Sequence, residues 1–176
     1  MRSGIPPTTD QRSLCGLPFS MRSVLLDSNL LLLFAIGSWN PRAIKTQKRL
    51  GGYTADDFEL LRNFLSQFAS IATTTHILTE VSNLAGAASG QTREAIFLQL
   101  QSLFVILDER QPSAIFLCAV PEFRMFGITD ASMSSLSSEM LLLTEDGRLA
   151  RHLQLKGMQA WTLEHVRALR DQANNV

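Results

Sequence analysis

The chain is expected to fold as an α/β domain, with a short parallel β-sheet flanked by helices in three layers. Three observations predict it. Two short apolar runs, Ser23–Leu26 and Leu141–Leu143, each lead directly into acidic residues, as strands buried on both faces of a parallel sheet would at their carboxyl ends. Longer segments between them carry apolar residues three or four positions apart, the mark of helices with one buried stripe. Strand and helix signals then alternate along the chain, as βα crossovers require.

Taken in order, residues 1–20 mix Pro6, Pro7, Pro18, Gly4 and Gly16 with hydroxyl side chains and show no periodicity. They read as a loose N-terminal extension, dispensable for folding and activity, to a domain spanning 21–176. Met21 opens the patterned sequence and is an alternative start. After the first strand, Leu30 to Leu33 with Phe34 and Ile36 are apolar on every side and suit a buried first helix. Residues 37–52 are polar and hold Arg42, Lys45, Lys48 and Arg49 with no acid between them, which gives a basic loop or short basic helix.

A second helix begins near Thr54, with Phe58, Leu61, Leu65 and Phe68 as its stripe and Asp56 and Asp57 at its amino end. Ile71, Ala72 and three threonines lead into a helix striped by Ile77, Val81, Leu84 and Ala88, on which Glu80 lies roughly a quarter-turn from the stripe centre. A further helix is expected over 92–102, a strand over 104–107, and an apolar helix between Pro112 and Pro121. Gly127-Ile128-Thr129-Asp130 opens another helix. After Leu141–Leu143 come a helix carrying Leu149, His152 and Leu153, a strand over 158–161, and a closing helix capped by Thr162.

With 176 residues and 45% hydrophobic content, the chain can bury one sizeable core. Its sixteen basic and sixteen acidic residues cancel, so affinity for nucleic acid must come from a local patch and not from a global field. Cys15 and Cys118 have no partner at metal-ligand spacing, which excludes a thiolate site and leaves reduced thiols in a cytoplasmic protein as the expectation. The longest apolar stretch, residues 24–36, is interrupted by Asp27, Ser28 and Asn29 and is too short for a bilayer, so no membrane segment is expected.

Ligands of open parallel sheets bind at the carboxyl ends of the strands. Asp27 ends the first strand and Asp146 follows the third expected one, so both point to one rim; Asp130 and Glu80 come from helices bordering it. Converging carboxylates raise one another's pKa unless a cation neutralises them, and hard oxygen donors favour Mg2+ or Mn2+. Such an ion activates water against a phosphodiester. Each acid singly has a plainer reading, as a helix cap or a solvated residue.

Val24-Leu25-Leu26-Asp27-Ser28-Asn29, Ile77-Leu78-Thr79-Glu80-Val81, Gly127-Ile128-Thr129-Asp130-Ala131 and Leu142-Leu143-Thr144-Glu145-Asp146 together, in this order, resemble the acidic elements of the PIN-domain family. The resemblance runs from about Met21 to Trp161. It implies a metal-dependent endoribonuclease in which Asp27, Glu80, Asp130 and Asp146 hold Mg2+ or Mn2+ and Asn29 and Thr144 support them by hydrogen bonds. Glu145 stands beside Asp146 as an alternative ligand. Similar proteins cleave RNA, and many bacterial members are toxins neutralised by a bound antitoxin, so an antitoxin protein is an expected partner beside RNA; a homodimer is the partner that the aromatic region from Phe116 to Phe126 would suit.

Arg42, Lys45, Lys48 and Arg49, with Trp39 and Tyr53 nearby, are the candidate RNA-binding residues. Phe116, Phe123, Met125 and Phe126 suit either a partner groove or ordinary core. The rival reading is a non-catalytic RNA- or protein-binding module in which the acids are structural. A phosphoacceptor receiver domain is a weaker fit, since Asp108 and Lys156 match its strand-end positions only loosely.

Overall fold

The computed structural model describes residues 23–174; the expected extension, residues 1–20, lies outside them. The path runs β1 (Ser23–Leu26), α1 (Ser28–Trp39), two 3-10 helices (Pro41–Thr46 and Lys48–Leu50), α2 (Ala55–Leu65), β2 (Ser70–Thr74), α3 (Thr75–Ala85) and α4 (Gly90–Phe104). It continues through β3 (Asp108–Arg110), α5 (Ala114–Ala119), α6 (Pro121–Phe126), α7 (Ile128–Leu136), β4 (Leu141–Leu143), α8 (Gly147–Leu155), β5 (Ala160–Trp161) and α9 (Leu163–Asn174). The strands form one parallel sheet in the order β3-β2-β1-β4-β5, flanked by helices. The expected α/β class is therefore the observed one.

Leu25 sits at the centre, paired with Ala72 on one side and Leu142 on the other. Val24, Leu25, Leu26, Leu141, Leu142 and Leu143 have no solvent exposure at all, so both faces of the central strands are covered. The chain leaves β1 for β2 on one side and later returns to place β4 on the other. That reversal of direction, between β1 and β4, is where a parallel sheet leaves a crevice beyond its carboxyl ends.

Helix α1 is buried along most of its length, including Leu30, Leu31, Leu32, Leu33, Ala35 and Ile36, because α2, α3 and α4 pack around it. At Gly37 the ring of Phe58 from α2 lies where a Cβ would stand, so the two helices meet through a missing side chain. The 3-10 segment turns Ala43, Ile44 and Leu50 inward and leaves Arg42, Lys45, Lys48 and Arg49 outside. Thr54 and Asp57 form a reciprocal capping box at α2, and Arg167 of α9 donates to Asp57 at 2.6 Å.

Several expected boundaries differ. Strand β2 was expected only as a lead-in to a helix, because Ser70-Ile71-Ala72-Thr73-Thr74 lacks an apolar run. It is a strand through its pairing with β1 and β3, and Thr74 hides its hydroxyl by bonding Ser132 Oγ at 2.9 Å. The strand expected over 104–107 is instead the end of α4 and a turn, with Val105 and Ile106 exposed; β3 begins at Asp108, where Ala72 offers its pairing partner. The helix expected between Pro112 and Pro121 is α5, which stops at Val120, whose extended backbone is what a residue preceding proline adopts; the short helix α6 that starts at Pro121 was not expected. The last strand is shorter than expected, and α4 is longer at both ends. Among the described residues, no helix is long and apolar enough to cross a membrane.

Candidate acidic site

Asp27 emerges from β1 into the crevice between β1 and β4 and is 5% exposed. Its Oδ1 accepts the Leu30 N–H at 2.8 Å, capping α1. Its Oδ2 accepts Thr144 Oγ1 at 2.9 Å and the Glu145 N–H at 2.7 Å, tying β1 to the turn after β4. Burial pushes this carboxyl above its ordinary range, while those hydrogen bonds pull the other way. A carboxylate has about four acceptor positions, so three donors leave little of Asp27 free.

Asp146 caps α8, its Oδ1 accepting Arg148 N–H at 2.8 Å and Leu149 N–H at 3.0 Å, and it is exposed. Its own N–H donates to Thr144 Oγ1 at 3.1 Å. Glu80 reaches in from α3, where its Oε2 accepts Ser28 Oγ at 3.0 Å. Asp130 stands in the first turn of α7, entered through Gly127 at φ 93°, a backbone angle that only glycine adopts freely. Among the described residues no group donates a hydrogen bond to the Asp130 carboxylate. Burial raises its pKa, and the charges of Asp146, Glu80 and Asp27 raise it further, to about 6.

The four predicted acids thus come from four separate elements into one electrostatic neighbourhood. They are not, as they stand, a coordination sphere: among the described residues no three or more His, Cys, Asp or Glu side chains are arranged to hold a metal ion. The chemistry of the donors nonetheless fits a hard cation. Oxygen on Asp130 is uncommitted, Glu80 and Asp146 each keep a second oxygen, and the accumulated negative charge disfavours ionisation of the group in the middle.

The supporting residues divide. Thr144 touches both Asp27 and Asp146. Asn29 instead accepts Arg49 Nε at 2.9 Å, which anchors the 3-10 segment beside the crevice. Glu145 turns its Oε1 to the Leu163 N–H at 2.8 Å, at the start of α9. It is engaged with that helix end.

Two residues were not singled out for the acidic site by sequence reasoning. Ser28, 4% exposed, links α1 to Glu80; its position directly after Asp27 was the only available signal. Tyr53, noted only as a candidate for stacking a base, lies where burial and the carboxylates of Asp27, Glu145 and Asp57 push its phenol above its usual range. His76 lines a cleft of about 280 Å3 with Glu80, Asn83 and Thr129, and its buried Nδ1 finds no partner among the described residues. Phe116 and Met125 are half exposed, while Phe126 packs on His152.

Comparison of the chain with models of known protein families yields no match, and comparison with curated proteins yields none either.

Proposed function

We propose that this protein is a divalent-metal-dependent endoribonuclease of the PIN type, hydrolysing RNA phosphodiester bonds. The observation that carries the reading is Asp130: a half-buried carboxyl with no hydrogen-bond donor among the described residues, raised to about 6 by burial and by three carboxylates from three other elements. A fold gains nothing in stability from such repulsion, whereas a cation site needs it. Asp27, Glu80, Asp130 and Asp146 would hold Mg2+ or Mn2+. Bound there, the ion supplies an activated water and neutralises charge on the phosphorus oxygens.

The chain's own residues do the rest. Thr144 holds Asp27 and the backbone of Asp146 in one frame, Ser28 orients Glu80, and the half-buried Tyr53, just ahead of α2, has its phenol within the field of the Asp27 carboxylate. The proposed setting is the cytoplasm, with RNA as substrate, an antitoxin protein as the natural inhibitor and a homodimer as the assembly.

A second reading, a non-catalytic RNA- or protein-binding module, draws on the caps: Asp27 and Asp146 each serve a helix amino end. One experiment separates the two. Thermal unfolding is measured with and without Mg2+ or Mn2+, alongside cleavage of a mixed RNA pool, for wild type and Asp130→Asn. The nuclease predicts a melting temperature raised by metal through binding linkage, and cleavage lost in the variant. A wild type that neither responds to metal nor cuts RNA leaves the binding module.

A further inference from the structure

Beside the acidic crevice lies a second depression of opposite character. The 3-10 segment and the α3–α4 junction enclose a cleft of about 340 Å3, with Thr46, Lys48, Arg49 and Thr92 on its polar side and the half-buried Leu84 and Ala88 among its apolar lining. Among the described residues, no acidic one lines it. Its size is that of a small-ligand site. Arg49 belongs to both depressions: it lines the cleft, and its Nε is fixed by Asn29 Oδ1, two residues from Asp27.

A guanidinium presents five N–H donors in a planar fork. With Nε held by Asn29, the terminal nitrogens are pre-oriented, so less freedom is lost when they meet two oxygens of a phosphate. A polyanion approaching four carboxylates is repelled, and the cations that offset this must stand next to them. Arg42 and Lys45 are exposed on the outer side of the segment and do not line the cleft.

We propose that this cleft is the loading subsite for single-stranded RNA, where Lys48 and the Asn29-anchored Arg49 each hold a backbone phosphate and the apolar lining takes the face of an unpaired base. A paired base cannot offer that face, which is why the occupant is a single strand. Arg49 binds RNA directly; Asn29 is a positioning residue acting through it. What happens to the strand at the acids rests on the nuclease reading, but loading does not.

The test is fluorescence anisotropy of a short labelled single-stranded RNA, with its duplex as comparison, in EDTA so that nothing is cut. Arg49→Gln and Lys48→Gln should each weaken binding and lower the slope of log K against log salt by about 0.7, the value for one phosphate contact on a single strand. Asn29→Ala should weaken binding severalfold with the slope kept, and Arg49→Lys should restore the slope of Arg49→Gln. Arg151→Gln, an exposed cation on α8, serves as the control. Circular dichroism verifies folding of each variant. Equal affinity for the duplex, no binding by wild type, or Arg49→Gln and Lys48→Gln behaving like Arg151→Gln would each overturn the subsite. The nuclease reading fails separately: binding that follows this pattern, with no cleavage in Mg2+ or Mn2+, keeps the subsite and removes the chemistry.

Discussion

Thr144 Oγ1 donates to Asp27 Oδ2 at 2.9 Å while accepting the Asp146 N–H at 3.1 Å, so one hydroxyl spans the two acids that end neighbouring strands. The hydroxyl is fully buried. Thr144→Val keeps the shape and removes both bonds, leaving Asp27 with two donors and the Asp146 amide without its acceptor. The expected cost is about 1–3 kcal/mol, the penalty for leaving buried polar groups unpaired. Thr144→Ser should recover most of it. Urea unfolding of the three proteins checks this; an unchanged midpoint for valine would mean that the bond does not stabilise the turn.

Asp130 gives stability a pH dependence of a definite sign. Its pKa is raised from 3.8 in the unfolded chain to about 6 in the fold. Between those values the folded state binds the extra proton, so its stabilising share is complete below about 3.8 and disappears as pH rises through about 6. Asp130→Asn should therefore raise stability above pH 6 relative to wild type. Partial solvation screens the effect, and we expect about 1 kcal/mol, or 2–4 °C in melting temperature for a chain of this size. Melting curves from pH 4 to 8, without added metal, provide the measurement. Parallel curves for the two proteins would remove the repulsion argument.

Glu122 behaves in the opposite sense. Only 2% exposed, it accepts His152 Nε2 at 2.7 Å and Lys156 Nζ at 2.6 Å, and so fastens α6 to α8. Burial raises its pKa, but the bonds from Lys156 and His152 outweigh that and bring it to about 2, from 4.5. Its contribution is present above about 4.5 and is lost as pH falls through about 2. Glu122→Gln should cost about 1–3 kcal/mol at neutral pH, the range for hydrogen bonds to charged groups. It should also flatten the acid limb of the stability profile. If the variant loses stability on acidification as steeply as wild type, the limb belongs to other carboxylates.

Gly37→Ala sets helix propensity against packing. Alanine is the better helix former by about 1 kcal/mol, but its Cβ would occupy space held by the Phe58 ring. Phe58 is 3% exposed, so it has little room to swing aside. Overpacking of this kind costs about 1–3 kcal/mol, and the net expectation is a lower melting temperature. Pairing the change with Phe58→Leu should recover part of the loss, and a stabilised Gly37→Ala would show that the ring moves freely.

How far the sequence could be read depended on where each element's stability originates. β1 and β4 were legible to the residue, since a run such as Leu141-Leu142-Leu143 is apolar whatever surrounds it. The cap at Asp27 and the helix start near Thr54 were equally local, a short polar side chain just ahead of a helical pattern. β2 and β3 were not. Ser70–Thr74 has β-branched residues but no apolar run to mark it, Asp108–Arg110 carries little strand propensity, and hydrogen bonding to a neighbour already in place makes both strands.

The same division runs through the site. The sequence by itself determined that three acids stand at strand ends and helix starts and that Glu80 stands on the flank of a helix, because each position follows from a local pattern around it. The tertiary structure decided what each carboxylate does there. It turned Glu145 toward the Leu163 amide, gave Asp27 three donors, left Asp130 without one among the described residues, and carried Arg49 across twenty residues to Asn29. Spacing along the chain sets which face a side chain leaves from. Which partner it meets depends on groups brought close only when the sheet closes, and a carboxylate's charge depends on those neighbours and on the water they displace.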